Sequence, residues 1–191
     1  MNPLLLFEKW FSEEKELSNL KLPAACCLST SGLDGYPNSR FVSLKEIKKE
    51  SFVITGPLDS RKGREIENHS KAALSFWWTS TERQIRIQGD VSVIPKSEAE
   101  IYFKQRNRDS KIVSAIFEQG QEILDISYMQ KLFKEKKAAL GNKEVEQPNS
   151  WGGIYIKPIR IEFMEFKKSR LHERKLFEQA SSGWKMTIIQ P

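Results

Sequence analysis

From Arg83 to Val93 every second residue is apolar or glycine: Ile85, Ile87, Gly89, Val91 and Val93 alternate with Gln84, Arg86, Gln88, Asp90 and Ser92. A period of two sends the two sets to opposite faces of a strand, which predicts a sheet with one buried and one polar side. Residues 154–166 alternate as well, but the phase slips at Pro158. Proline lacks the N–H that a ladder needs, so a bulge or an edge position is expected there. Short apolar runs at 22–30 and 51–55 read as further strands. The first ends in the turn signal Ser31-Gly32-Leu33-Asp34-Gly35, with a hairpin partner starting near Pro37, and the second is broken by Gly56-Pro57. Residues 171–177 and 184–189 supply the last strands.

Helical spacing interrupts this pattern. Residues 3–18 form an amphipathic stretch with Leu6, Trp10 and Leu17 near one stripe, and residues 60–68 follow a turn. Ser97-Glu98-Ala99-Glu100 has the form of a capping box, opening a helix to about Arg106. Residues 124–140 carry apolar positions at helical intervals. No internal repeat or low-complexity tract is present. The expected architecture is mainly β with helical insertions, an antiparallel barrel forming one domain over residues 1–191. Its parts are an N-terminal helix within 1–20, a polar loop at 141–150 and C-terminal strands within 151–191.

The 191 residues suffice for one buried core, and a hydrophobic fraction of 39% is ordinary for a globular chain. No apolar run approaches the roughly 20 residues that a membrane helix needs. The apolar start Pro3-Leu4-Leu5-Leu6-Phe7 is soon followed by Glu8, Lys9 and Trp10, unlike a signal peptide, so a cytoplasmic location is expected. Cys26 and Cys27 are adjacent and point to opposite faces on a strand, which speaks against a disulfide between them. With only two histidines and no CxxC, no metal site is expected. A net charge of +6 points to an anionic partner, nucleic acid or a phosphorylated small molecule, and charge alone does not choose.

Three constellations could carry chemistry. Ser60-Arg61-Lys62-Gly63 stands where a strand and a Gly-Pro turn give way to a helix. Unpaired N–H groups there, with a hydroxyl and two cations, could cradle a phosphate; an ordinary N-cap with solvated basic neighbours fits the same spacing. Tyr102, Arg106 and Ser110, spaced by four, share a helical stripe if the helix continues, or lie near it if Asn107 breaks it. They could hold a second phosphate or form a polar helix face. In Arg170-Leu171-His172-Glu173-Arg174, a strand would put both arginines and the histidine on one face, an arrangement that calls for an anion or polar ligand. His69, at an expected helix end, reads as a solvent-facing cap residue.

At these same residues the chain resembles the pyridoxamine 5′-phosphate oxidase family. The resemblance runs from Asn2 nearly to the C-terminus. Its most specific pieces are Ser60-Arg61-Lys62, Glu82-Arg83-Gln84, Arg106-Asn107-Arg108-Asp109-Ser110, Trp151-Gly152-Gly153 and Arg170-Leu171-His172-Glu173-Arg174, in the family's order and separation. It implies an FMN-binding split β-barrel of Greek-key type, working as a homodimer with sites at the subunit interface. The flavin set would be Arg40, Thr55, Gly56, Ser60, Arg61, Lys62, Gln84, Gln119, Met164 and Arg174, with Arg61 and Lys62 at the FMN phosphate. Lys45, Tyr102, Arg106 and Ser110 would hold the phosphate of a B6 vitamer, while Arg170 and His172 flank its reacting carbon as substrate-binding, catalytic residues. The implied reaction oxidises pyridoxamine or pyridoxine 5′-phosphate to pyridoxal 5′-phosphate, with dioxygen as acceptor and hydrogen peroxide as product.

The chain departs from the family in four places. Met164 stands where a tryptophan usually packs beside the flavin, and Thr55-Gly56-Pro57 replaces an aromatic-Thr-Asn sequence. Ile188-Ile189-Gln190-Pro191 replaces an Arg-Leu-x-Pro ending, and the chain begins close to its first helix, without a basic N-terminal arm. Rival readings are a sister FMN oxidase acting on phenazine precursors and a non-catalytic carrier of flavin or pyridoxal phosphate. A nucleic-acid-binding barrel would need exposed aromatics interleaved with basic residues on one sheet face. Phe76-Trp77-Trp78 are consecutive and cannot share a face, so neither nucleic acid nor membrane is expected as a partner.

Overall fold

The structure, a computed structural model, describes residues 1–19 and 22–191; Leu20, the end of the expected N-terminal segment, lies outside the described residues. Eight antiparallel strands form one sheet: β1 (Ala25–Ser31), β2 (Pro37–Lys48), β3 (Ser51–Pro57), β4 (Lys71–Trp78), β5 (Arg83–Val93), β6 (Trp151–Glu165), β7 (Glu173–Ala180) and β8 (Gly183–Ile189). Their order is β3-β2-β1-β4-β5-β6-β7-β8, and a further β3–β6 pairing closes the first six into a barrel. The long β6 makes both junctions: residues 151–156 pair with β3, residues 160–165 pair with β7, and β5 runs alongside. The phase slip seen at Pro158 is a bulge, since Gln88 faces Arg160 while Gly89 faces Pro158. Gly89 is required there, because a Cβ would lie 2.3 Å from the Lys157 carbonyl oxygen.

The barrel interior is filled by the inward set of each strand, including Leu28, Phe52, Leu74, Phe76, Ile85, Ile87, Ile161 and Phe163. Helix α1 (Pro3–Leu17), capped by the Asn2 side chain, packs Phe7 against Phe52, Phe76 and Trp78 with ring centroids 5.0, 5.1 and 5.5 Å apart. Its buried stripe is Pro3, Leu4, Phe7, Trp10 and Glu14, whereas Leu17 is exposed, so the expected stripe is rotated. Glu14 is buried because it accepts hydrogen bonds from the backbone N–H groups of Ser80 and Thr81 in the β4–β5 turn.

Several local expectations are corrected. The first strand starts at Ala25, with Leu22 exposed ahead of it. Strand β3 continues through Gly56 and Pro57, which pair with Gly152 and Trp151. Val93, expected inside, is exposed. Strand β4 was not marked from sequence: its outward set, Lys71, Ala73, Ser75 and Trp77, is half apolar and hides the period of two. Helix α3 (Lys96–Lys104) has Pro95 at its N-cap and no side-chain cap bond, so the capping box at Ser97 is not made. The chain then leaves the helix, and α4 (Arg108–Ile116) starts anew with Asn107 as its cap. Helices α2 (Arg61–Asn68) and α5 (Ile126–Leu140) lie where expected, and His69 is the exposed C-cap of α2. Among the described residues no helix is long and apolar enough to cross a membrane.

Outside the barrel, α3 covers β3 and β6 through a second apolar cluster of Val53, Ile94, Ala99, Tyr102, Phe103 and Trp151. Arg106, between α3 and α4, and Ser114 of α4 line a cleft with the middle of β2 and the end of β3, where the cationic side chains Lys45, Lys62 and Arg106 collect.

Candidate functional site

The first group forms where β3 hands over to α2. Gly63 lets the helix approach the barrel, since a Cβ there would stand 1.8 Å from the Leu58 carbonyl oxygen. Ser60 ends the turn, its hydroxyl donating to the Pro57 carbonyl at 2.7 Å and accepting from Lys62 Nζ at 2.9 Å. Lys62 Nζ also donates to Gln119 Oε1 at 2.6 Å. Burial first, and then the nearby Arg40 guanidinium, bring Lys62 down to about 8, with Asp59 opposing them. Arg40 reaches across from β2, donating to the Leu28 carbonyl, Thr30 Oγ1 and Glu65. Arg61 bonds Glu65 and Asp34.

The second group lies across the cleft. Arg106, in the break between α3 and α4, donates to the Ser110 carbonyl and to Ser114 Oγ, both at 3.2 Å. Its guanidinium lies over the Trp151 ring at 5.2 Å. Burial and the charge of Arg106 both lower Lys45, and burial lowers Arg106 itself. Among the described residues Lys45, Lys62 and Arg106 have no carboxylate within ion-pair distance. Lys45 with Arg106 is thus a like-charge pair with no counter-charge at ion-pair distance among the described residues, and Lys62 lies near Arg40, whose own charge is met by Glu65 at 2.8 Å; both arrangements favour an anion.

Lys45, Thr55, Gly56, Lys62, Arg106 and Gln119 all line one cleft of about 380 Å³, together with Phe41, Ser114 and Trp151. Thr55 Oγ1, Arg106 Nε and Trp151 Nε1 belong to residues on its wall and are buried with no hydrogen-bond partner among the described residues. Buried polar groups are rarely left so, and three around one cleft indicate a polar ligand there. A molecule with an anionic end and hydrogen-bonding ring edges, as FMN has, fits this donor set.

Tyr102 and Ser110 stand apart from the expected stripe because the helix breaks between them. The buried Tyr102 hydroxyl donates to the Glu46 carboxylate and faces a smaller cavity of about 220 Å³ that Lys45 also lines. Burial and Glu46 both push this phenol above its ordinary range. Ser110 donates its N–H to the Asn107 side chain at 2.8 Å and offers its carbonyl to Arg106.

The remaining residues gather elsewhere. Trp77, Gln84, Met164 and Arg174 lie directly across from one another on β4, β5, β6 and β7, on the sheet's outer side. Gln84 Nε2 is 3.9 Å from Met164 Sδ, and Arg174 is held by buried Glu162 through Nε at 2.8 Å. The expectation that Arg170, His172 and Arg174 share a strand face is corrected. Strand β7 begins only at Glu173, and Arg170 sits in a turn with φ 66°, its N–H bonded to the Lys167 carbonyl. His172 Nδ1 accepts the Lys167 N–H at 3.1 Å, so the neutral ring carries its hydrogen on Nε2. Its ring lies 4.9 Å from Phe166, which in turn lies 4.8 Å from Trp77. None of Gln84, Met164, Arg170, His172 and Arg174 lines the cleft.

Sequence reasoning missed Ser114, Trp151 and Glu65. Helical spacing could have found two of them, since Ser114 follows Ser110 by four and Glu65 follows Arg61 by four. Trp151 approaches Arg106 only through tertiary packing.

Residues 12–135 match the family model described as pyridoxamine 5′-phosphate oxidase, and residues 151–191 match that of the pyridoxine 5′-phosphate oxidase C-terminal dimerisation region. A pyridoxine/pyridoxamine 5′-phosphate oxidase of Leptospira interrogans is 40% identical over 191 residues, covering 100% of this chain and 89% of the relative. One from Nostoc sp. is 35% identical with the same coverage. Among solved structures, PhzG from Burkholderia lata 383, in complex with tetrahydrophenazine-1-carboxylic acid, superposes with TM-score 0.91 at 27% identity, covering 100% of this chain and 93% of that one. A pyridoxamine 5′-phosphate oxidase-related, FMN-binding protein from Nostoc punctiforme shares the fold with TM-score 0.81 at 13% identity, covering 100% and 98%.

Proposed function

The chain belongs to the pyridoxamine 5′-phosphate oxidase family, and from that premise we propose that it binds FMN and oxidises pyridoxamine or pyridoxine 5′-phosphate to pyridoxal 5′-phosphate, with dioxygen as acceptor and hydrogen peroxide as product. The observation that carries the reading is one cleft lined by three cations that have no ion-pair partner among the described residues, Lys62, with Arg40 near it, and the pair Lys45 and Arg106. Two phosphorylated molecules meeting ring to ring need two such grips.

Lys62, Ser60, Arg40 and Arg61 would hold the FMN phosphate, with Thr55, Gly56 and Gln119 along the flavin. Lys45, Arg106 and Ser110 would hold the phosphate of the vitamer, joined by Tyr102 once its hydroxyl exchanges Glu46 for that phosphate. When bound, FMN supplies the redox chemistry, taking up two electrons and a proton as hydride from the vitamer's exocyclic carbon and passing electrons on to dioxygen. The protein's part is orientation: two fixed phosphates leave each ring little freedom, which places the reacting atoms at transfer distance.

The other half of the site comes, in this reading, from a second copy of the chain. Residues 151–191, which match a dimerisation region, contain Met164, Arg170, His172 and Arg174. Gln84, Met164 and Arg174 of one subunit would cover the flavin held by the other. Arg170 and His172 would flank the vitamer, with His172 offering its Nε2–H as a hydrogen-bond donor, and neither residue acting as an obligatory base. A sister reaction on phenazine precursors is favoured by the likeness to PhzG alone. The Lys45–Arg106 pair favours a phosphorylated substrate instead.

The test supplies pyridoxine 5′-phosphate aerobically to FMN-loaded protein and follows pyridoxal 5′-phosphate and hydrogen peroxide. Both are expected in equal amounts. Fully bound FMN with neither product would defeat the assignment while leaving a flavoprotein.

A further inference from the structure

We propose that Glu65 is a positioning residue of the cofactor phosphate grip, holding Arg40 and Arg61 so that the site prefers a phosphorylated flavin over an unphosphorylated one. The inference rests on the FMN reading above and concerns residues beside the cleft: Lys62 lines it, while Arg40, Arg61 and Glu65 do not.

Glu65 is fully buried on α2, and its two carboxylate oxygens take four donors from three elements. Oε2 accepts from Thr30 Oγ1 at 2.5 Å and from Arg40 NH2 at 2.8 Å. Oε1 accepts from Asn38 Nδ2 at 2.8 Å and from Arg61 Nε at 2.9 Å. A carboxylate has about four lone-pair directions, so this one is saturated. Burial alone would raise the group, but the bonds from Thr30, Asn38, Arg61 and Arg40 outweigh it and hold Glu65 at about 2.

Glue for the fold alone would not need this arrangement. The carboxylate spends its bonds on two arginines beside Lys62, and it takes only part of each guanidinium. Arg40 Nε and Arg61 NH1 have no acceptor among the described residues. Without a buried negative charge Arg40, which already lies near Lys62, would be left with two cations and no counter-charge, and Arg61 would keep only its exposed contact to Asp34. Glu65 therefore presets a grip for an anion that has yet to bind, which lowers the ordering cost at binding. A flavin without phosphate gains nothing from it.

The experiment measures dissociation constants of apo-protein for FMN and for riboflavin by quenching of flavin fluorescence, in wild type, Glu65→Gln and Asn38→Ala. Glu65→Gln should weaken FMN by about 10- to 100-fold, the usual range for a lost hydrogen bond to a charged group, and leave riboflavin within about twofold. Asn38→Ala removes one of the four donors without a charge change and should weaken FMN alone by about 3- to 10-fold; this variant decides the matter should Glu65→Gln not fold. Equal weakening of both flavins, or no change in either, would overturn the proposal and leave Glu65 as scaffold. A wild-type protein with no preference for FMN over riboflavin would instead overturn the FMN reading, and this inference with it.

Discussion

Lys62 shows how one side chain can register its ligand. Its ammonium is half-buried, near the Arg40 guanidinium, and among the described residues bonds only the neutral groups of Ser60 and Gln119; burial and Arg40 bring it to about 8 against an ordinary 10.5. A bound phosphate supplies the missing counter-charge and raises it again, so binding above pH 8 takes up a proton. FMN affinity is then full below pH 8 and falls as the pH climbs through that value, by at most about tenfold per pH unit. In the free protein the sign is opposite: the folded state binds fewer protons than the unfolded chain between about 8 and 10.5, so Lys62's drag on stability is relieved as pH rises through that window. Measuring the FMN dissociation constant from pH 7 to 9.5 checks this; Lys62→Met should abolish the break, and a flat profile in wild type would contradict it. On the other side of the cleft, Arg106→Met should raise the KM for pyridoxine 5′-phosphate by about 10- to 100-fold while leaving FMN retention close to wild type, as steady-state kinetics and flavin content would show. The cations of both grips were legible in the sequence because charge is a property of the residue itself. Their partners were not: that Glu46 takes the Tyr102 hydroxyl and Ser114 supports Arg106 follows from packing between elements.

At the scale of elements, period-two patterning was readable wherever one face meets water, as in β5, and the bulge at Pro158 was announced by the missing N–H. It failed where both faces are apolar, as in β4, whose Trp77 and Ala73 point away from the barrel interior. Helix spacing found α1 but set its stripe one turn face aside, because Glu14 is buried by hydrogen bonds that hydrophobicity cannot report. Phe7 is buried against Phe52, Phe76 and Trp78, and Phe7→Ala should cost about 3–5 kcal/mol of unfolding free energy, measured by urea denaturation. The turn before β7 was hidden for a different reason: Arg170 takes a left-handed backbone conformation that an arginine seldom adopts. Arg170→Gly should therefore leave stability within about 1 kcal/mol of the parent, since glycine relieves the strain yet loosens the unfolded chain. Turnover should nevertheless fall. A variant both unstable and inactive would mean that the arginine side chain holds the turn rather than meeting substrate.

The whole molecule presents its chemistry in two separated halves. One is the cleft between β2, β3 and α4; the other is the row Gln84–Met164–Arg174 with Arg170 and His172 beside it. The fold class was legible from patterning, while the proposed residue set and its place at a subunit interface came from the family resemblance; which residues gather on each half of one chain follows only from the folded strands and helices. The central claim is that two copies of the chain join them. It is tested most directly by mixing chains that carry Arg106→Met with chains that carry Arg170→Ala, each of low activity alone at subsaturating pyridoxine 5′-phosphate, after a step that lets subunits exchange. If the halves meet across a two-fold interface, half of the random dimers carry one intact site of two, and about a quarter of wild-type pyridoxal 5′-phosphate formation returns. Activity no higher than the sum of the two variants alone, with mixed dimers shown to be present, would contradict the account.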